Sequence, residues 1–304
     1  MILSIRRVSK SFGAKRVLDG VSFEAASGAA TGLLGRNGAG KTTTMRIILG
    51  LFPADSGSVL FDGEPMGARR VRVGYLPEER GLYLKQPVGV QLRYLARLRG
   101  LSGRDARATV ARWTARLSMD DTLNKKLETL SKGNQQKIQM AAALLGEPDV
   151  LVLDEPFSGL DPINAQLLKD VAREQVAAGR LVIFSSHQMA QIEEFCDNIA
   201  MIHAGRIVLS GSLAHIKRAY PRNFLRLAIE DGAYGLAQAA LAGLGGAVRH
   251  ARMDSRGMLL TISDPSAKKA VLAALVSFGV PVERFEVVEP SLEEIFLEKA
   301  GQEA

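Results

Sequence analysis

Gly35-Arg36-Asn37-Gly38-Ala39-Gly40-Lys41-Thr42 is the run on which the rest of the chain is read. It fits G-x-x-x-x-G-K-[ST] and stands between an apolar strand, Thr31–Leu34, and a helix expected from about Lys41 to Leu49. Glycines let successive backbone N–H groups turn inward with no Cβ in the way, forming a nest for a β-phosphate. The following helix directs its positive end at the same anion. Lys41 adds a point charge between the β- and γ-phosphates, and the Thr42 hydroxyl can ligate Mg2+. Thr43 is within reach of an α-phosphate. The pattern, in that context, points to a bound nucleotide.

A second run, Val150-Leu151-Val152-Leu153-Asp154-Glu155, places two carboxylates at the end of a strand that is apolar on both faces. Ligands of open α/β sheets collect at that edge. Asp154 is expected to hold Mg2+ through water as the acidic partner of the phosphate loop. Glu155, one residue on, is expected to orient or deprotonate an attacking water as general base. A further apolar strand, Leu181–Phe184, runs into Ser185-Ser186-His187, where the imidazole can hydrogen-bond a γ-phosphate. A helix of about residues 163–178 between the two strands makes a βαβ unit. The other histidines, His203, His215 and His250, have no metal-ligand spacing and receive no role.

The remaining composition bounds the setting. With 304 residues, 47% hydrophobic and 23% charged, the chain reads as globular, with two domains or one large one. Its longest apolar runs are strand-length, well short of the roughly 18–20 residues that span a bilayer. Arg6, Arg7 and Lys10 interrupt the start, which excludes a secretory leader and places the chain in the cytosol. The single Cys196 excludes an internal disulfide and reads as a buried thiol in a reducing compartment. A net charge of +7 is compatible with nucleic acid, anionic lipid or nucleotide and does not choose among them.

Along the chain, residues 2–8 and 17–25 read as antiparallel strands joined by a turn over Ser11–Lys15, with further strands at Gly57–Phe61 and Arg72–Leu76. From about Val88 to Leu145 the pattern is helical, with Leu92, Leu95 and Leu98 and then Val110, Trp113 and Leu117 as buried stripes. Arginines at 93, 97, 99, 104, 107, 112 and 116 read as the solvated face of those helices. A boundary is expected near Tyr220-Pro221, separating a domain of residues 1–217 from one of 221–304. The second carries strands at Phe224–Ile229, Val248–Met253, Met258–Ile262 and Arg284–Val288, with a helix at Tyr234–Leu241. Asp264-Pro265 is expected to cap another helix that Gly279 ends, and Ser291 with Glu294 makes a capping box for a last one. That order suggests a small α+β ferredoxin-like domain, with no catalytic constellation in it.

Before the acidic strand lies Leu130-Ser131-Lys132-Gly133-Asn134-Gln135-Gln136, and after it Ser158-Gly159-Leu160-Asp161. Phosphate loop, signature, acidic strand, D-loop and switch histidine in this order resemble an ABC ATPase over about residues 1–217. The resemblance implies a P-loop α/β cassette with a mixed-sheet core, an antiparallel β part and a helical subdomain at about 88–145. It implies ATP and Mg2+ as ligands and hydrolysis coupled to transport. Ser131 and Gly133 would meet the γ-phosphate of ATP bound on a second copy or a paralogous cassette, and Asp161 would lie at that seam.

Three departures from the family pattern stand out. Lys132 and Asn134 enter the signature, Glu78 after Val73-Gly74-Tyr75-Leu76-Pro77 replaces a glutamine that meets Mg2+ and water, and Phe12 takes the adenine-stacking position without a hydroxyl. The run from Tyr75 through Arg80 to Tyr83, the Lys-Gly-Asn signature and the tail Pro290–Phe296 resemble cassettes of bacterial exporters, including sodium-extrusion and drug-export systems. In these the membrane permease is a separate chain, and the C-terminal domain is accessory or regulatory. The resemblance therefore implies a cytoplasmic protein, peripheral on the inner face of the cell membrane, with no nucleic-acid partner. The alternative is a soluble ABC ATPase acting on the ribosome or nucleic acid, for which the arginines are the motive.

Overall fold

Strands that are apolar on both faces must be covered on both sides, and the central sheet is built around three of them. The structure, a computed structural model, describes residues 1–68, 70–79, 81–220, 223–254 and 257–301; Arg80 and Pro221, named above, lie outside that set. The chain divides into two compact units, Met1–Leu213 and Ala214–Ala304.

In the first unit β1 (Ile2–Phe12) and β2 (Lys15–Ala26) precede β3 (Ala30–Leu34) and α1 (Lys41–Ile48). Next come β4 (Ser56–Phe61), β5 (Glu64–Pro65) and β6 (Val73–Leu76). Three helices follow, α2 (Val88–Leu98), α3 (Gly103–Arg116) and α4 (Lys132–Leu144). The chain returns to the sheet with β7 (Val150–Asp154), α5 (Pro162–Ala177) and β8 (Leu181–Ser186). Helix α6 (Met189–Phe195), β9 (Asn198–His203) and β10 (Arg206–Ser212) complete the unit, and α7 (Leu213–Ala219) begins at its last residue.

Six strands form the central sheet in the order β10-β9-β3-β8-β7-β6, with only β10 antiparallel to its neighbour. Every residue of β3, β7 and β8 is buried. Their register aligns the carboxyl ends: Leu34 pairs with Ser186, Asp154 with Ser185 and Leu76 with Leu153. The phosphate loop, the acidic pair, His187 and the Pro77-Glu78 turn therefore leave the sheet at one edge. Leu33, Val152 and Ile183 join Met45 and Ile48 of α1 and Leu3, Ile5 and Phe23 of the antiparallel sheet in one core. Each such side chain contributes roughly 1.5–3 kcal/mol by leaving water.

The antiparallel sheet, β2-β1-β4-β5, corrects the expected turn. Strand β1 runs on through Phe12, which pairs with Lys15, so only Gly13 and Ala14 form the loop, with Gly13 at φ +59°. The hydrogen-bonded pair closes a two-residue hairpin, which outweighs the turn-like composition of Ser11–Lys15. In α2 the buried stripe is Val88, Leu92 and Ala96, whereas Leu98 is 65% exposed. Steps of four keep closer to one face of a 3.6-residue turn than repeated steps of three, which rotate about 60° each. Val110, Trp113 and Leu117 are buried as expected. Arg112 and Arg116 of α3 pair with Glu147 and Glu174, and Arg99 donates to the carbonyl oxygen of Ala143 at 2.9 Å near the end of α4. Cys196 is buried, and burial pushes its thiol well above the ordinary range.

The second unit contains β11 (Phe224–Ile229), α8 (Tyr234–Ala242), β12 (Val248–Asp254) and β13 (Gly257–Ile262). It continues with α9 (Lys268–Ser277), β14 (Val282–Val288) and α10 (Leu292–Gly301). The sheet order β12-β13-β11-β14, antiparallel throughout, is the ferredoxin-like arrangement of a βαββαβ chain. Leu225, Leu227, Leu260, Ala237, Val271 and Leu275 fill its core. Asp264 caps a single 3-10 turn at Pro265–Ala267, accepting from the Ser266 amide at 2.8 Å, and α9 starts only at Lys268. Ser291 and Glu294 exchange the expected capping bonds, 2.7 Å from the Ser291 amide and 3.2 Å from the Glu294 amide.

Candidate active site

The phosphate loop is a turn that only small residues can make. A Cβ on Gly35 would fall 2.3 Å from the carbonyl oxygen of Ile202, and Gly40 sits at φ +113° as the residue before α1. Lys41, buried at the first turn of that helix, donates to the carbonyl oxygens of Gly35 at 2.8 Å and Arg36 at 3.4 Å. Its ammonium also lies 3.7 Å from Glu155. A cavity of about 370 Å3 is lined by Lys15, Val17, Asn37, Gly38, Gly40, Lys41, Thr42, Thr43, Glu78 and Glu155. A second, of about 650 Å3, lies against Arg36, Asn37, Gly38, Ala39 and His187.

Asp154 is fully buried at the end of β7. Its Oδ1 accepts from Ser185 Oγ at 2.5 Å, while Oδ2 is buried with no hydrogen-bond partner among the described residues. Burial pushes the Asp154 carboxyl above the usual range, against the bonds from Ser185 and Thr42 that favour the anion; the charge of Glu155 adds to the rise. The orphaned oxygen beside Thr42 suits a hard cation. Among the described residues no three His, Cys, Asp or Glu side chains converge to hold a metal. One carboxylate and one hydroxyl match Mg2+, which draws its other ligands from water and phosphate.

Glu155 carries the most constrained backbone of the site. Its φ is +49°, in the left-handed region, and it precedes Pro156, which disfavours helical backbone in the residue before it. Such a conformation costs of order 1–3 kcal/mol and must be held by its surroundings. The Glu155 amide donates to Ser185 Oγ at 3.0 Å. Its carboxylate Oε1 accepts from the His187 amide at 2.8 Å and meets His187 Nδ1 at 2.9 Å, leaving the ring's Nε2 free of that contact. Oε2 accepts from Ser186 Oγ at 3.4 Å. Lys41, Asp154, Glu155 and His187 thus converge on one edge, with the Lys41 ammonium and the held Glu155 carboxylate side by side at the phosphate-loop cavity.

Other expected residues lie apart from that edge. Phe12 is half exposed on β1, edge-on to Phe52 at 5.6 Å and beneath the Lys10 ammonium. Ser131 caps α4, accepting from the Asn134 amide at 3.3 Å, and Asp161 caps α5, accepting from the Asn164 amide at 3.0 Å. Gly133 lies against Asn164: a Cβ there would come 2.9 Å from Asn164 Nδ2. Signature and D-loop residues therefore cluster with one another, and none of them lines the phosphate-loop cavity. Sequence reasoning missed Ser185 and Ser186, whose hydroxyls serve both carboxylates; two small polar residues closing an apolar strand were the available signal. It also missed Lys15 and Val17, which line the cavity from β2 with nothing in the sequence to mark them.

Comparison with known proteins agrees with this geometry. Residues 18–158 match the family described as ABC transporter, and residues 211–300 the family described as ATP-binding protein DrrA1-3-like, C-terminal domain. The chain is 40% identical over 301 residues, 99% of each chain, to a Bacillus subtilis protein named "Uncharacterized ABC transporter ATP-binding protein YhaQ". It is 33% identical over 307 residues to the "Nod factor export ATP-binding protein I" of Burkholderia orbicola, covering 99% of this chain and 97% of that one. A solved "Structure of ATP binding subunit of ABC transporter" superposes with a TM-score of 0.65 at 32% identity, over 72% of this chain and 92% of that one.

Proposed function

The chain belongs to the ATP-binding proteins of ABC transporters, and from that premise we propose that it drives export through a separate membrane permease by closing on a second cassette. As a member of that family it binds ATP and hydrolyses it in transport. The observation that carries the finer reading is the Glu155 carboxylate, tethered by His187 within 3.7 Å of Lys41 at the mouth of the phosphate loop. Export is supported by the relative named for Nod factor export.

In this mechanism the amides of residues 36–41 and the Lys41 ammonium bind the β- and γ-phosphates. Asp154 and Thr42 would hold Mg2+, which would supply charge neutralisation on the phosphate oxygens. Glu155 orients the attacking water and takes its proton as the water's oxygen bonds to the γ-phosphorus and the bond to the β–γ bridging oxygen breaks, releasing ADP and phosphate. His187, with Nδ1 turned to Glu155, keeps that carboxylate in place and offers Nε2 to a γ-phosphate oxygen. Ser131, Gly133 and Asp161 face a nucleotide on the second cassette, so each site is completed only in the closed pair. Glu78 stands where a glutamine is usual and shares the cavity with Thr42. On this reading its carboxylate would be a further Mg2+ ligand.

The test is to purify tagged Glu155→Gln protein with ATP from detergent-solubilised cells of its own host and to identify what accompanies it. An integral membrane protein that depends on ATP for capture supports the reading. Ribosomal proteins or nucleic acid, with no membrane protein, would overturn it.

A further inference from the structure

Two buried glutamines on one face of α4 join the Glu78 turn to the strained peptide beside Glu155. Gln136 and Gln139 are 7% and 6% exposed. The Gly81 amide donates to Gln139 Oε1 at 3.2 Å, Gln139 Nε2 donates to Gln136 Oε1 at 3.3 Å, and Gln136 Nε2 donates to the carbonyl oxygen of Pro156 at 3.2 Å. The direction of this chain is fixed at both ends. A backbone N–H can only donate and a carbonyl can only accept, so neither glutamine amide can be turned over without breaking it. A residue three positions on in a helix lies on the same face, which is what brings the two side chains together.

Each end of the chain is at a place that matters. Gly81 lies three residues beyond Glu78, and the same segment is held further along by the buried Gln91, whose amide bonds Tyr83 N at 3.0 Å and Tyr83 O and Gln86 O at 3.2 Å. Pro156 follows Glu155, whose positive φ before a proline must be held from outside. Ser185 holds the amide side of Glu155 and Gln136 holds the carbonyl beyond it. We propose that Gln136 and Gln139 are positioning residues that transmit the placement of Gly81, and of the chain from it to Tyr83, to the backbone of Glu155, so that displacing Gly81 releases Glu155 from its working conformation. The proposal rests on Glu155 being the base and goes beyond that reading by naming a path that holds it from the segment after Glu78.

The path has a signature that simple packing lacks. The test measures steady-state ATP hydrolysis and amide hydrogen exchange on the full chain for Gln136→Met, Gln139→Met and the double variant. Methionine matches glutamine closely in length and cannot bridge. Gln136→Met is expected to quicken exchange over residues 78–83, which it does not touch, and Gln139→Met to quicken exchange over residues 155–158. Each is expected to lower kcat about tenfold with KM for ATP unchanged, and the double variant to be no slower than the slower single one, as for members of one chain. Local exchange effects confined to each variant's own contact, or losses in kcat that multiply in the double variant, would overturn the proposal. The exchange readout does not depend on the identity of the base, whereas wild-type turnover by Glu155→Gln would remove that assignment and leave the connection standing. If Gln139→Met does not fold, exchange over 78–83 in Gln136→Met decides alone.

Discussion

At the scale of single residues, the site is held together by groups that the protein would be more stable without. Asp154 has a buried carboxylate oxygen with no partner among the described residues, and burial raises its pKa. For a carboxyl whose folded pKa lies above its unfolded value, the folded state binds the extra proton, so the group's contribution to stability falls as pH rises past the unfolded pKa. Ionising Asp154 in the folded protein is therefore a cost to stability. Asp154→Asn is expected to raise the melting temperature of the protein without nucleotide by a few degrees at pH 7, with little change near pH 3, and to abolish Mg2+-dependent turnover. Thermal denaturation at both pH values with a phosphate-release assay checks this; a lower melting temperature at pH 7 would contradict it. The residues proposed to meet the phosphates were legible in the sequence because each belongs to a contiguous motif. The strained backbone of Glu155 and the orphaned oxygen of Asp154 were not, since both depend on neighbours far along the chain.

At the scale of elements, the carboxyl edge of the parallel sheet does the assembly. Register alone brings Asp154 opposite Ser185 and Leu34 opposite Ser186; Glu155, His187 and Glu78 stand within two residues of a strand end, and the glycine turn after Leu34 carries Lys41 and Thr42 back to the same edge. That much follows from apolar runs of the right length read as strands covered on both faces. The pairing of β7 with β8 was less accessible. Only that adjacency lets one hydroxyl, Ser185 Oγ, donate to Asp154 at 2.5 Å and accept from the Glu155 amide at 3.0 Å. Ser185→Ala should strip Asp154 Oδ1 of its bond and leave the Glu155 amide only the Ser185 carbonyl oxygen at 3.3 Å, and cost about 1–3 kcal/mol of stability by denaturant unfolding, with a lower kcat. An unchanged midpoint would show that water replaces the hydroxyl. Boundaries were the weaker part of the reading. The β1–β2 hairpin and the α2 stripe both differ from expectation because pairing and helical pitch, rather than composition, set where a turn closes and which leucine is covered.

At the scale of the whole molecule, the signature and D-loop residues of the first unit stand outside the phosphate-loop cavity of their own chain, which is why a second cassette enters the proposed mechanism. Ser131, Gly133 and Asp161 cap or border α4 and α5, where they bond one another's neighbourhood and stay out of the phosphate-loop cavity. On the proposed reading, a γ-phosphate on another cassette is the anion that the positive end of α4 would meet. The second unit has its own core and a capping box that was readable from Ser291 and Glu294. Its strand order was readable only from the βαββαβ sequence of elements, because nothing in the residues themselves states which strands pair. The account turns on an ATP-closed pair of cassettes with Glu155 as the base, and sedimentation of purified Glu155→Gln protein with and without Mg-ATP tests it most directly. A species of twice the chain's mass that forms only with ATP, together with hydrolysis reduced roughly 10²–10⁴-fold, is the predicted result. A single-chain species at saturating ATP, or turnover at the wild-type rate, would contradict it.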